Sequence, residues 1–229
     1  MVELPVSELF DLSPETLSVI CATGGLSAKR LVFWLRFSCS AIRLVPHALL
    51  MLRGPGREIV ALDVNRWSEI IQRRTPKGLA QRLYTFVFLM TDYGEFRNLF
   101  YYRTGTVGKA FRFLCPPLNT LFIRSGKIGP GLFIQHGFAT TIGAEEIGAN
   151  CWINQQVTIG WADGSGRPRI GDNVRVSAGA KVLGNINVGS NVAVGANAVV
   201  IKSVPGNCTV VGVPARIVRR EGKRVEEAL

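Results

Sequence analysis

Apolar and polar positions follow two different rhythms, and the change falls near residue 125. Before it, apolar residues recur at mixed three- and four-residue spacing, the mark of amphipathic helices. RLVFWLRFSCSAIRLV (30–45), GLAQRLYTFVFLM (78–90) and EFRNLFYYRTGTVGKAFRFL (95–114) are read as helical, the last weakened by Gly105 and Gly108. Ser13-Pro14-Glu15 reads as a helix start, with Ser13 as cap and Pro14 in the first turn. Gly54-Pro55-Gly56 and Asp92-Tyr93-Gly94 break the pattern, and Cys115-Pro116-Pro117 ends it.

After residue 125 the period becomes six. Aliphatic residues stand at Ile128, Ile134, Ile147, Ile153, Ile159, Ile170, Val176, Val182, Val188, Val194 and Val200. A small or turn-forming residue often follows, as in Ile128-Gly129, Ile170-Gly171 and Val194-Gly195, and Val157, Ala180 and Ala198 stand four places on. An α-helical face repeats near 3.6 residues, so this repeat is not helical. It predicts a solenoid of short parallel strands joined by tight turns, three hexads closing one triangular coil. The phase slips twice, around His136–Glu146 and around Trp161–Arg169. Insertions into a solenoid map to loops that often form its binding face.

The motifs within the repeat carry a resemblance. IQHGFATTIG, INQQVTIG and PRIGDNVRVSAGAKVLGNINVGSNVAVGANAVVIKSVPGNCTVVGVPARIV are similar to the hexapeptide-repeat acetyltransferases. Two branches are involved: the serine acetyltransferases, and the O-acetyltransferases of bacterial capsule and exopolysaccharide synthesis, including the colanic-acid type. The likeness covers about residues 125–220; the first half matches only loosely, through EFRNLFYYR.

The resemblance implies a left-handed parallel β-helix, a handedness that general crossover rules would not suggest. It also implies a homotrimer with acetyl-CoA, as co-substrate and without a metal, in a groove between adjacent prisms. The organisation expected is an N-terminal helical domain over residues 1–120, a left-handed β-helix over 121–218 and a basic C-terminal tail over 219–229.

His136 matches the catalytic histidine of these enzymes. The chain has two histidines, and the other, His47, sits in helical context beside Pro46 and is read as structural. Histidine suits proton removal from an acceptor hydroxyl because its pKa lies near neutrality. For acetyl-CoA the expected contacts are the backbone around Ala178 and Ala196, with Lys202 and Arg216 as phosphate partners. For the acceptor they are Gln135, Trp161 and Arg167.

Three positions depart from the serine acetyltransferase pattern. Leu121 stands where those enzymes carry the aspartate that orients the histidine. Gln135 replaces an aspartate that helps hold serine's ammonium, and Arg167 replaces a second histidine. A zwitterion needs charged partners at both ends. These losses lead to the expectation of a sugar hydroxyl on a bacterial surface polysaccharide or its precursor. Serine acetylation and a non-catalytic trimeric scaffold stand as alternatives. A zinc carbonic anhydrase on the same fold would need three histidine ligands, and the coil region has only His136.

Composition adds the setting. Net charge is +11, which attracts anionic lipid or phosphorylated molecules but brings no recognisable nucleic-acid module. Five cysteines form no CxxC pair, and no signal-peptide pattern is visible, so a cytoplasmic location is expected. Leu31–Leu52 is apolar but interrupted by Arg36, Arg43 and Pro46; it is read as soluble helix or as a helix lying at the inner membrane surface.

Overall fold

The computed structural model describes residues 28–164 and 166–229. The helix start expected at Ser13 lies outside them. Among the described residues five helices precede the strands: α1 (Ala28–Arg43), α2 (Val45–Arg53), α3 (Arg57–Ile71), α4 (Gly78–Asp92) and α5 (Gly94–Lys109). Their boundaries follow from punctuation in the chain. Pro46 sits in the first turn of α2, where its missing N–H costs nothing. Gly56 precedes α3 in the left-handed conformation, at φ 72°. The helix expected over 95–114 stops at Lys109 and is kinked at Gly105 (φ 61°, ψ −141°), a region open to glycine but not to larger residues. Trp67, Phe86, Leu89, Met90, Phe96, Leu99, Phe100 and Tyr101 are fully buried where α3, α4 and α5 meet.

Leu31–Leu52 is divided between α1 and α2. Among the described residues no helix is long and apolar enough to cross a membrane.

The second half is a left-handed parallel β-helix of about five turns. Its first face stacks β1 (Leu121–Ile123), β4 (Thr140–Ile142), β7 (Thr158–Gly160), β10 (Lys181–Leu183) and β13 (Val199–Val200). The second stacks β2 (Lys127–Ile128), β5 (Glu146–Ile147), β8 (Arg169–Ile170) and β11 (Asn187–Val188). The third stacks β3 (Phe133–Ile134), β6 (Trp152–Ile153), β9 (Arg175–Val176), β12 (Ala193–Val194) and β14 (Cys208–Val211). Every aliphatic residue of the six-residue repeat is at most 5% exposed, so the repeat is the prism's interior. Each such side chain is covered by its counterpart one coil away, as Ile147 lies opposite Ile170 and Ile153 opposite Val176.

Corners are turned by residues that tolerate positive φ. Asn150, Asn173, Asn191 and Asn207 all adopt it at the corner between the second and third faces. Three of them form a side-chain ladder: Asn173 Nδ2 donates to Asn191 Oδ1 (3.1 Å), and Asn191 Nδ2 to Asn207 Oδ1 (2.9 Å). Beyond the last coil, β15 (Arg216–Arg220) and β16 (Lys223–Ala228) add to the third face as antiparallel strands. The basic residues Arg219, Arg220, Lys223 and Arg224 lie in this pair.

Both phase slips are departures from the coil. The first is a turn between β3 and β4, at the corner from the third face to the first. The second lies between β7 and β8, at the corner from the first face to the second.

Candidate active site

His136 occupies the first of these departures. Its side chain is exposed, and its backbone is left-handed at φ 54°; Ala139 is left-handed too, at φ 49°. A non-glycine residue in this region is uncommon, and two within one turn mean that the surroundings impose the shape. The turn is held from below: Gln156 N–H donates to Phe138 O at 2.9 Å. It is held from the side by α5, where Glu95 Oε1 accepts the Gly137 N–H at 3.0 Å.

Gln135 reaches the imidazole edge. Its Oε1 accepts hydrogen bonds from Trp152 Nε1 (3.2 Å) and Asn154 Nδ2 (3.4 Å). With the oxygen so occupied, the amide nitrogen faces His136 Nε2 at 3.5 Å. An imidazole with its proton on Nδ1 accepts that N–H at Nε2. At that distance the contact orients more than it binds. The Arg175 guanidinium lies over the Trp152 ring, 4.7 Å from its centroid.

The corner that bears His136 continues down the prism as one edge. Gly179 N–H donates to Gln155 O (3.0 Å), and Asn197 N–H donates to Ala178 O (2.9 Å). Ala178 and Ala196 stand at the same corner in successive coils, so both alanines share an edge with His136. Lys181, which the sequence did not single out, folds onto this edge, its Nζ donating to Gln156 O at 2.6 Å. Lys202 and Arg216 lie past the last full coil. With Ile201, Pro214 and Leu229 they line a recess of about 200 Å³, and Lys202 Nζ donates to Leu229 O at 2.7 Å.

Trp161 and Arg167 are not brought to His136 within one chain. Their loop stands at the corner where the first face passes to the second, because the extra residues fall between Ile159 and Ile170. Trp161 is 65% exposed. Arg167 is committed elsewhere, to Glu145 (2.8 Å) and to the Arg124 carbonyl (3.0 Å).

Sequence reasoning missed Glu95, Trp152, Asn154 and Arg175. Trp152 and Arg175 are partners in the β6–β9 register, a relation visible only once the coils are aligned. Glu95 belongs to EFRNLFYYR, and nothing local in that segment points to a loop 42 residues away.

Known proteins add to this geometry. A family model described as bacterial transferase hexapeptide (six repeats) matches residues 167–202. A serine acetyltransferase from Synechococcus elongatus is 43% identical over 104 residues, covering 44% of this chain and 43% of that protein. One from Staphylococcus epidermidis is 52% identical over 103 residues, covering 43% of this chain and 48% of that protein. The chain thus spans about half the length of the curated relatives it matches. Among solved structures, a Neisseria gonorrhoeae serine acetyltransferase in complex with serine superposes with a TM-score of 0.53 at 28% identity, covering 76% of this chain and 72% of that one. A Brucella abortus serine acetyltransferase in complex with coenzyme A gives 0.52 at 26% identity, covering 76% and 68%.

These relatives correct one expectation. The substitutions at Leu121, Gln135 and Arg167 pointed to a polysaccharide sugar as acceptor, yet the similar proteins are serine acetyltransferases. The inference failed because it took single-residue losses to decide the acceptor, while over 104 and 103 residues the chain is 43% and 52% identical to serine acetyltransferases.

Proposed function

We propose that this chain, whose β-helical half carries the hexapeptide repeat of the bacterial transferases, moves the acetyl group of acetyl-CoA to the hydroxyl of serine, with His136 as general base. The observation that carries the reading is the left-handed turn at His136, at the head of the edge that Ala178 and Ala196 share. In this reading acetyl-CoA lies along that edge, in the groove between two prisms of a homotrimer. The backbone near Ala178 and Ala196 lines its chain, and Lys202 and Arg216 meet its phosphates. Residues 1–120, the β-helix 121–218 and the segment 219–229 act as one acyltransferase.

Chemistry then follows in two proton movements. Nε2 of His136 takes the hydroxyl proton as the oxygen attacks the thioester carbonyl. Backbone N–H groups near the carbonyl stabilise the oxyanion. The intermediate collapses by breaking the carbon–sulfur bond, and the imidazolium returns its proton to the departing thiolate. No covalent acyl-enzyme is needed, since the acceptor attacks directly.

Release of free coenzyme A from acetyl-CoA in the presence of L-serine tests the reading. Release that depends on L-serine supports it. Acetyl-CoA binding with no release would overturn it and favour a scaffold.

A further inference from the structure

Helix α5 presents a row of polar side chains to the first coil. Glu95, Asn98 and Tyr102 are spaced i, i+3 and i+7, which puts them on one helical face. Each grips backbone rather than side chains. Asn98 makes three bonds: its Nδ2 donates to Leu118 O (3.0 Å) and Leu121 O (2.9 Å), and its Oδ1 accepts the Leu118 N–H (2.8 Å). Tyr102 Oη donates to Gly126 O at 3.2 Å. Glu95, in the first turn of the helix, accepts the N–H of Gly137, the residue directly after His136.

Two of these side chains, Glu95 and Asn98, bear on the turn. Asn98 fixes Leu121, and Leu121 packs against Gly137: a methyl group added at Gly137 would meet Leu121 Cδ2 at 2.9 Å and Glu95 Cγ at 3.0 Å. Leu121 is the apolar residue standing where the resemblance leads one to expect a carboxylate. A carboxylate is nevertheless present beside the turn, delivered by α5 instead of by β1.

From this we infer that Glu95 is the positioning residue of the His136 turn, and that α5 is part of the catalytic apparatus rather than only a packing element. This rests on His136 being the base. Glu95 acts on the backbone: by fixing the Gly137 peptide it sets the direction in which the imidazole leaves a left-handed residue. Small displacements of a reacting group are costly, with an ångström worth up to about 100-fold in rate.

The test compares Glu95→Ala with Glu95→Gln in the full chain, the glutamine keeping an oxygen acceptor at the same reach. Glu95→Ala is expected to lower kcat by roughly 10- to 100-fold with the KM for acetyl-CoA little changed. Glu95→Gln is expected to rescue most of that loss. Hydrogen exchange gives a second readout that does not depend on catalysis. The Gly137 amide should lose protection in Glu95→Ala and keep it in Glu95→Gln. The Gly143 amide, bonded to Ile159 O inside the coil, should stay protected in both. Wild-type kcat in Glu95→Ala, or equal losses in the two variants, would overturn the proposal. Full turnover in His136→Ala would refute the base instead, while the Gly137 exchange would still report whether Glu95 holds the turn.

Discussion

Arg103 and Asp63 form a buried ion pair, Nε to Oδ2 at 2.8 Å, that joins α5 to α3 and both to the first coil. The side chains are 4% and 2% exposed. Arg103 also donates to the carbonyls of Ile128 and Gly129, and Asp63 Oδ1 accepts the Gly131 N–H at 2.7 Å. Burial raises the Asp63 carboxyl pKa, and Arg103 and the Gly131 N–H pull it back. The stretch from Ile128 to Gly131, which leads directly into β3 and the His136 turn, is thereby clamped between two helices.

Removing either partner leaves the other charge buried alone. Arg103→Met or Asp63→Asn is expected to cost about 3–5 kcal/mol in urea unfolding. The double variant should cost less than the sum of the two, because the residues share one network. Additive losses would show that the pair is not coupled.

Stability should fall with acidification because of His47. The ring is fully buried, with Nε2 2.9 Å from Tyr101 Oη, and burial first, then the Arg43 charge, lower its pKa from 6.5 to about 4. The unfolded chain takes up the proton first as pH drops. The contribution is therefore complete above pH 6.5 and is lost progressively towards pH 4, a cost on the order of 1–3 kcal/mol. Unfolding free energies at pH 7, 5.5 and 4.5 should show this slope, and His47→Gln should flatten it.

Gly137 should not tolerate a side chain. An added methyl group meets Leu121 and Glu95 at close range, and Ile134 Cγ2 at 3.3 Å. Gly137→Ala is expected to cost about 1–3 kcal/mol. Leu121→Ala in the same chain makes room, so the double variant should be more stable than the two single losses added together. A thermal-unfolding cycle over the four proteins checks this.

The prism was legible because its signal is redundant. Ile128 through Val200 repeat one requirement, an aliphatic side chain pointing inward, in every coil, and all of them are buried. His136 was singled out because it stands in the first phase slip and matches the catalytic histidine of the family the repeat resembles. Glu95, Asn98 and Tyr102 were not, since polar residues at i, i+3 and i+7 read as a solvent-facing side until a partner is known. Their partners are backbone groups of the first coil, and no residue type announces a carbonyl. The loop at Trp161 was legible as an insertion, but which corner it leaves depends on how the hexads are assigned to faces. The end of α5 was misjudged because Gly105 weakens a helix without saying where it stops.

The most direct test of the account is coenzyme A release from acetyl-CoA and L-serine by wild type and by His136→Ala. The imidazole is exposed, so the variant should fold and bind acetyl-CoA normally. Its kcat should fall roughly 10²- to 10⁴-fold. Turnover at the wild-type rate would contradict the assignment of His136 as the base.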